Sequence, residues 1–382
     1  MKILQIAALY APHVGGIENY VHQLSRDLVK KGHEVTVYTS NIPKNKKYEV
    51  IDGVEIHRFG CVWSPLNNQL TPGILQHLLK ENDFDIIHAH GYLQLTTNFA
   101  AFSTFKNKIP LVITLHGTVG DAQYDDWKII ITKIYNKTLC KWTLSAADTV
   151  IALTPSQKEN LHKFGAKKIE VIPNGISLAD INVNRNTNQF REKYGLNNKI
   201  IILYVGGLIA RKGISYLIDA MQNVSHNSAL IIVGGELKGH QGYKQQLLDK
   251  LSEKNISNVV FMGRVNESTL REAYMEADML VLPSLSEGLP TVLLEAMSYK
   301  KPIIASNIPG NSDLITNNYN GILVEQMNSK EIADAINRLI SHPEEREILG
   351  INAFNTINQN YTWETIVDRI EDTYIDCLRC KL

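Results

Sequence analysis

Two glutamates of this chain are spaced as a pair that could bind one ligand. Glu287 and Glu295 have seven residues between them, and an apolar run, Met279–Leu282, precedes them. The turn Gly288–Pro290 opens a run of helix-forming residues, so Glu287 should precede a helix and Glu295 should lie about two turns inside it. Because a helix N-terminus attracts phosphate and carboxylates accept hydrogen bonds from hydroxyls, the spacing suits a ligand with phosphates between two sugars, such as a nucleotide-sugar. The alternative is a pair of solvated acids.

A basic loop and a glycine turn follow two other predicted strands. Arg211 and Lys212 precede Gly213 and follow the apolar run Ile200–Val205. Such a pair can neutralise a diphosphate and stabilise the charge that grows on a leaving phosphate, although an exposed basic turn would look the same. The segment Gly263–Val265 could hydrogen-bond a nucleobase through its backbone, with its arginine at the surface or rim.

The first half of the chain has a glycine-rich loop of its own. Gly15 and Gly16 follow a predicted strand at residues 2–9 and precede a predicted helix. Glycines at this position let the backbone approach a phosphate closely, but the loop lacks the full GxGxxG spacing. Glu18 and Asn19 fall in the first helical turn. They are candidate acceptor ligands or helix-start residues only.

Histidines occur near two predicted strand ends. His116 follows a short apolar run and could donate a hydrogen bond to a sugar hydroxyl or a developing charge, although a lone loop histidine is more often structural. His88 and His90 lie two apart on one strand face, where packing is favoured over metal binding. Asp83 and Asp85 have DxD spacing but precede the strand, so they lie at its wrong end. No metal site is predicted.

Length and composition indicate the class of protein. The chain has 382 residues, which favours two domains, and its 39 basic and 39 acidic residues balance, which argues against a nucleic-acid binder. The first 175 residues carry 19 basic and 15 acidic side chains, a mild preference for an anionic partner. The four cysteines form no disulfide framework, and Cys377 and Cys380 are expected to be two incidental thiols. Reduced thiols, a short apolar N-terminus and no membrane span predict a cytoplasmic protein.

Short apolar runs alternate with amphipathic stretches along both halves, which predicts parallel sheets covered by helices on both faces. The pattern restarts near residue 200, so the fold class is α/β with two successive doubly wound domains. We expect the first domain at residues 1–175, the second at 176–362 and a last helix at 363–378. The linker is expected at Asn174-Gly175 and the polar segment that follows.

One amphipathic segment suggests contact with a membrane. Residues 127–142 carry lysines at helical spacing on one face and apolar and aromatic side chains beside them. Such a helix could rest on an anionic bilayer, and an ordinary surface helix is the alternative.

The motifs together resemble those of the retaining GT-B glycosyltransferases of family 4. That group includes phosphatidylinositol mannosyltransferases, sucrose-phosphate synthases and many cell-envelope enzymes. The resemblance runs nearly end to end, and the glutamate pair is its most specific part. The matching segments are Gly15–Glu18, Gly32–Val35, Asp85–His90, Leu115–Gly117, Val171–Gly175, Tyr204–Gly206, Lys212–Gly213, Phe261–Gly263 and Glu295–Met297.

The resemblance implies a GT-B fold, with two Rossmann-like domains facing each other across a cleft, and roles for single residues. Glu287 would contact the transferred sugar, Glu295 the ribose and Lys212 the diphosphate, and the last helix would cross back to the first domain. The implied catalytic residues are Glu287, Lys212, Arg211 and His116. The implied donor-binding residues are Gly16, Gly207, Arg211, Lys212, Gly263, Arg264, Val265, Glu287, Gly288, Leu289, Pro290, Thr291 and Glu295. The acceptor-binding candidates are Gly15, Glu18, Asn19 and His90.

One position departs from the family pattern. The family usually has an arginine directly after the glycine at 206, whereas this chain has Gly207. Arg211 could supply the missing charge, which leaves the partner of Lys212 open.

The predicted function is transfer of a hexose or N-acetylhexosamine from a nucleoside-diphosphate sugar to an acceptor hydroxyl, with retention and without a cofactor. A UDP-sugar is favoured over a GDP-sugar, and the acceptor is expected to be a sugar, lipid-linked or phosphorylated. A nucleotide-sugar epimerase is the first alternative, which would form an epimer from donor alone. A non-catalytic nucleotide-sugar binding protein is the second.

Overall fold

The computed structural model describes residues 1–13, 15–64, 68–80, 83–117, 135–178, 187–237 and 239–380. The chain divides into two compact units. The first consists of Met1–Gly175 together with Trp363–Leu382, and the second of Ile176–Thr362.

The first unit is built on an eight-stranded sheet in the order β3-β4-β2-β1-β5-β6-β7-β8. Every neighbouring pair is parallel except β3 and β4, which are antiparallel. The strands are β1 (Lys2–Ile6), β2 (Glu34–Ser40), β3 (Tyr48–Ile51), β4 (Val54–Phe59), β5 (Ile86–His90), β6 (Leu111–Thr114), β7 (Thr149–Ala152) and β8 (Ile169–Val171). The described helices up to β8 are α1 (Gly16–Lys30), α2 (Pro72–Leu78), α3 (Leu95–Asn107), α4 (Lys141–Ala146) after a π-helical turn (Asn136–Cys140), and α5 (Pro155–Leu161).

The second unit is built on a six-stranded parallel sheet in the order β11-β10-β9-β12-β13-β14. Its strands are β9 (Ile200–Val205), β10 (Ser228–Val233), β11 (Val259–Gly263), β12 (Met279–Leu282), β13 (Ile303–Ser306) and β14 (Ile322–Val324). Its helices are α6 (Thr187–Lys193), α7 (Ile214–Met221), α8 (Tyr243–Glu253), α9 (Glu267–Glu276), α10 (Thr291–Ser298), α11 (Ser329–Ser341) and α12 (Pro343–Asn360). The central strands are continuous runs of mostly buried apolar residues, as expected of a parallel sheet covered by helices on both faces. The predicted α/β class with two doubly wound domains is confirmed.

The last helix, α13 (Trp363–Arg379), belongs to the first unit. Its buried side chains, among them Ile370 and Tyr374, share a core with Leu24 and Leu28 of α1. This core covers one face of the eight-stranded sheet, so α13 completes a layer that α1 begins. Among the described residues, no helix has both the length and the apolar character needed to cross a bilayer.

Candidate active site

In each sheet the strand order reverses at one point, and ligands of doubly wound folds bind beside the carboxyl ends of the strands at that point. In the second unit the reversal lies between β9 and β12. The loop that carries Arg211 and Lys212 follows β9, and the loop that carries Glu287 follows β12. Two segments far apart in sequence are therefore joined at the position where this fold binds ligands.

Gly213 allows the two loops to approach. It has a φ of +68°, and a Cβ added there would lie 1.9 Å from the carbonyl oxygen of Pro283. A side chain at this position would therefore both strain the backbone and collide with the other loop. The backbone N–H of Leu285 donates to the carbonyl oxygen of Arg211 at 2.8 Å, which fixes the register between the loops.

The predicted cations and the first glutamate form one cluster. Lys212 Nζ lies 2.6 Å from Glu287 Oε1, and Arg211 Nη1 lies 3.8 Å from Glu287 Oε2. Arg211 also donates to the carbonyl oxygen of Ser286. Only 7% of the Glu287 side chain and 16% of the Lys212 side chain are exposed. Because two cations share one carboxylate, the cluster has a net positive charge that an anionic ligand can neutralise.

There is little space for a side chain at Gly207, the position where the family usually has an arginine. A Cβ added to Gly207 would lie 3.0 Å from Leu237 Cδ1. A longer side chain there would require Leu237 to move. Arg211 contacts the same carboxylate as Lys212, so this chain places a second cation at the site from four positions further along the sequence.

Glu295 lies on α10, which begins at Thr291. It is four residues into the helix, slightly more than one turn, rather than the two turns that its spacing predicted. The Tyr274 hydroxyl donates to Glu295 Oε2 at 2.6 Å, and the Tyr274 ring stacks on Tyr299 with centroids 5.5 Å apart. Burial raises the pKa of Glu295, and the hydrogen bond from Tyr274 opposes that rise. One carboxylate oxygen is thus held by Tyr274.

The turn between the glutamates is packed tightly. Leu289 and Pro290 are buried, Gly288 is half-buried, and Thr291 at the start of α10 is exposed. Gly310 has a φ of +87°, and a Cβ there would lie 2.1 Å from the carbonyl oxygen of Gly288. The loop after β13 therefore supports the turn that separates Glu287 from Glu295.

The predicted base-binding segment lies at the sheet edge. β11 is the edge strand and ends at Gly263, whose carbonyl accepts from the N–H of Gly234 at 2.8 Å. Arg264 is exposed and donates to the carbonyl oxygen of Glu236 at 3.3 Å, while Val265 is half-buried. The arginine thus lies at the surface, as the sequence indicated.

In the first unit the strand order reverses between β1 and β5. Gly15 is the extended N-cap of α1, and Gly16 begins the helix and is exposed. Glu18 is half-buried, with Oε1 3.3 Å from His13 Nδ1, and Asn19 is exposed. Glycines and polar side chains thus surround the carboxyl end of β1.

The three histidines named above form a connected group. His90 Nδ1 lies 3.1 Å from His116 Nε2, and His88 packs against His90 with ring centroids 4.2 Å apart. Burial lowers the pKa of His116 to about 3. Burial also lowers the pKa of His88 to about 3, with the His116 ring adding to the effect. For His90 burial is again the main cause, and its pKa lies well below the usual value.

His90 is only 1% exposed, and both of its ring nitrogens have hydrogen-bond partners, Gln5 and His116. The predicted direct contact between His90 and an acceptor therefore does not fit this position. The reason is that β5 turns this side chain into the core rather than to the sheet edge. Its connection to the edge runs through His116.

Comparisons with known proteins identify the family. Residues 14–180 match the family model Glycosyltransferase Family 4, and residues 186–356 match Glycosyl transferases group 1. An uncharacterised glycosyltransferase of Methanocaldococcus jannaschii is 31% identical over 399 aligned residues, which cover 98% of each chain. The chain belongs to this glycosyltransferase family.

Two further relatives extend the comparison. An Escherichia coli enzyme named UDP-Gal:alpha-D-GlcNAc-diphosphoundecaprenol alpha-1,3-galactosyltransferase is 30% identical over 316 residues, covering 79% of this chain and 78% of that enzyme. HepE of Anabaena, solved with UDP and also with UDP-glucose, superimposes with a TM-score of 0.80 in its UDP complex. That match has 21% identity and covers 98% of this chain and 100% of HepE. The fold of this glycosyltransferase is therefore of the GT-B type.

Sequence reasoning missed the residues of this glycosyltransferase that support the predicted ones. Tyr274 holds Glu295, while Gln5 and Tyr374 contact the histidine group. Gln5 left a signal in the sequence, because it is an isolated polar residue in an apolar strand. The two tyrosines left none, since an aromatic residue at helical spacing is typical of an ordinary core.

The remaining motifs lie away from this edge or outside the described residues. Asp83 and Asp85 bond Lys2 at the amino ends of β1 and β5, the opposite edge of the sheet. Cys377 is buried and Cys380 is exposed. In the part of the chain that the structure describes, no three His, Cys, Asp or Glu side chains are grouped to hold a metal ion. Half of the predicted membrane helix at 127–142, residues 127–134, falls outside the described residues, which resume at 135.

Proposed function

We propose that this glycosyltransferase moves a hexose or N-acetylhexosamine from a nucleoside-diphosphate sugar, with UDP favoured over GDP, to an acceptor hydroxyl with retention of configuration. The observation that carries the proposal is the Lys212–Glu287 pair at the switch point of the second unit, with Arg211 beside it. The UDP and UDP-glucose bound to HepE, and the UDP-galactose in the name of the E. coli relative, support the choice of donor.

Each group at this edge has a chemical use. Lys212 and Arg211 would neutralise the diphosphate and stabilise the charge on the leaving phosphate. Glu287 would exchange part of its contact with Lys212 for a hydroxyl of the transferred sugar, and Glu295 would accept from the ribose. A carboxylate bonded to a lysine at 2.6 Å is a weakened nucleophile, which favours attack of the acceptor on the same face as the leaving group.

The same two cations underlie the proposal that the reaction needs neither cofactor nor metal ion. A divalent metal usually neutralises the diphosphate in enzymes that require one. Here Lys212 and Arg211 already supply two positive charges at that place. Turnover should therefore persist in excess EDTA, and loss of activity that Mg²⁺ or Mn²⁺ restores would contradict this part.

We further propose an acceptor in glycan, glycolipid or polysaccharide synthesis, either a sugar or a lipid-linked or phosphorylated compound. The diphosphoundecaprenol acceptor in the name of the E. coli relative supports this class.

A cytoplasmic enzyme with peripheral membrane contact through residues 127–142 would fit such an acceptor. Cosedimentation with liposomes that contain anionic lipid, but not with neutral liposomes, is the expected result. Equal sedimentation with both would remove the electrostatic basis of the contact.

The main experiment has two stages. Calorimetry with UDP-, GDP- and ADP-sugars identifies the donor, and NMR of the anomeric proton then follows transfer to acceptors. Glu287→Ala should retain donor binding and lose turnover, whereas Glu267→Ala, which alters an exposed glutamate of the same unit, should match the wild type. A product with inverted configuration at the anomeric carbon would refute retention. An epimer formed from the donor alone would show that the protein is an epimerase and not a transferase.

A further inference from the structure

A chain of buried polar side chains runs through the core of the first unit. Gln5, His88, Thr114 and Tyr374 are fully buried, and His90 is 1% exposed. They lie on the sheet face that α13 covers, with Gln5 beside His88 and His90 beside Thr114 in the strand registers. Burying polar groups is costly unless each is hydrogen-bonded, so each of these side chains needs a partner within the core.

The contacts have a direction. Gln5 Nε2 donates to the Tyr374 hydroxyl at 3.1 Å, which leaves Gln5 Oε1 as an acceptor 2.7 Å from His90 Nε2. His90 Nε2 therefore carries the proton, and its Nδ1 has a lone pair. His90 Nδ1 lies 3.1 Å from His116 Nε2, so His116 Nε2 must be the donor. The orientation of one amide thus assigns the tautomers of two histidines.

The second branch of the chain satisfies Tyr374. Its hydroxyl accepts from Gln5 and donates to His88 Nδ1 at 2.6 Å. His88 Nε2 then donates to Thr114 Oγ1 at 2.7 Å. Tyr374 is thereby held as an acceptor for Gln5, and the amide keeps its orientation.

We propose that Tyr374, Gln5 and His90 hold His116 as the neutral Nε2–H tautomer, so that His116 Nδ1 accepts a hydrogen bond from a substrate hydroxyl. No described residue is hydrogen-bonded to His116 Nδ1, and His116 follows β6 at the carboxyl edge of the sheet, beside the switch point. The sequence suggested that His116 donates a hydrogen bond to substrate. The hydrogen bonds that run from Tyr374 through Gln5 and His90 to His116, here called the relay, instead leave His116 Nδ1 as an acceptor. The identity of the hydroxyl rests on the proposed function, but the tautomer does not.

Tyr374 is in this view a positioning residue contributed by the C-terminal helix. It reaches His116 only through Gln5 and His90, at the far end of a chain of three hydrogen bonds. Docking of α13 thus affects more than stability, because it supplies the group that orients the relay.

The first test reads the tautomer without any substrate. In protein labelled with ¹⁵N-histidine, long-range ¹H–¹⁵N spectra distinguish Nε2–H from Nδ1–H, and His116→Gln assigns the signal. The wild type should show His116 as the Nε2–H form. In Tyr374→Phe, which keeps the ring and removes the hydroxyl, the His116 signal should shift towards a mixture of tautomers. An Nδ1–H or doubly protonated His116 in the wild type would overturn the proposal.

The second test follows turnover. Tyr374→Phe should lower kcat/KM about three- to tenfold, the value of one neutral hydrogen bond, with UDP affinity unchanged. Tyr38→Phe is the matched control, because Tyr38 is also a buried tyrosine of this unit but lies in the other core cluster. If Tyr374→Phe fails to fold, Gln5→Leu breaks the same relay one step closer to His116.

The outcomes of these tests distinguish the proposal about the His116 tautomer from the proposed sugar transfer. A shifted tautomer with reduced turnover supports the relay, and an unchanged tautomer in both Tyr374→Phe and Gln5→Leu refutes it. A shifted tautomer with wild-type kinetics refutes the positioning role of Tyr374. If the wild type transfers no sugar but shows the Nε2–H form, the proposed function fails while the tautomer assignment stands.

Discussion

The two units present the same fold feature with opposite chemistry. Each has a switch point between central parallel strands, β1 and β5 in one and β9 and β12 in the other. The second unit fills this position with charged groups, Lys212, Arg211 and Glu287. The first has His116 beside it, connected through the buried His90 to an amide and a tyrosine, and its nearest acid named above is Glu18 in α1. Binding of a diphosphate requires cationic groups, whereas binding of a hydroxyl requires a hydrogen-bond donor or acceptor in a fixed orientation. The same type of fold can present either kind of group at its switch point.

The largest expected effect tests the charged edge. Lys212→Ala should reduce kcat by about 10²- to 10³-fold, because it removes a cation from the developing charge of the leaving phosphate. Steady-state kinetics with the donor found by calorimetry measures kcat. The thermal unfolding temperature of Lys212→Ala, compared with that of the wild type, shows whether the fold is kept when Glu287 loses its partner. Lys330→Ala, at an exposed lysine of the same unit, is the control. Near-normal turnover would remove the assigned role of Lys212.

The next effect concerns Tyr274, Glu295 and pH. Glu295→Ala should weaken UDP binding about 10- to 100-fold, since a hydrogen bond to a charged group is lost, with a smaller effect on sugar selectivity. Tyr274→Phe should weaken it about three- to tenfold. Because the Tyr274 hydrogen bond lowers the pKa of Glu295, its loss should raise that pKa further. The ionised Glu295 carboxylate accepts a hydrogen bond more strongly than the protonated acid does, so the pH below which UDP binding falls should move upward.

Calorimetry across a pH series checks this shift. The ring that Tyr274→Phe retains should stack on Tyr299 as the native ring does, so a change in the pH midpoint reports the hydroxyl alone. An identical midpoint in wild type and Tyr274→Phe would show that Tyr274 does not act on Glu295. Equal UDP binding by the wild type and Glu295→Ala would show that Glu295 does not contact the nucleotide.

The smallest effect compares the two edges directly. Raising the salt concentration about tenfold should weaken UDP binding roughly two- to fivefold, because the Lys212 and Arg211 charges are partly screened. The KM of an uncharged sugar acceptor should not change, since that substrate carries no charge for salt to screen. Equal salt sensitivity of both substrates would show that the effect does not come from the charges of Lys212 and Arg211.

Much of this organisation was accessible from the sequence. Apolar runs such as Ile200–Val205 predicted buried parallel strands, and the Glu287–Glu295 spacing predicted a turn followed by a helix. Boundaries were less accurate, because α10 begins at Thr291 and places Glu295 one turn into the helix rather than two. Local spacing cannot show where a turn ends when Leu289 and Pro290 are drawn into the core.

Direct acceptor contact by His90 was predicted from its place near a strand end, and the structure instead buries the ring. The sequence predicted helices over both faces of the sheet but not how far along β5 that cover extends. Here Tyr374 of α13 contacts His88, which packs against His90 on the same face. The hydrogen-bond partners of a side chain depend on elements hundreds of residues away, as with Tyr374 and Gln5.

The sequence by itself determined the class of fold, the family and the residue types at both edges, because these depend on local patterns of apolar, glycine and charged residues. Only the tertiary structure decided which groups meet. It paired Lys212 with Glu287 across 75 positions and Tyr374 with Gln5 across 369. Strand order, not spacing along the chain, brings the ends of β9 and β12 together, and packing of the last helix places Tyr374 against the buried His88.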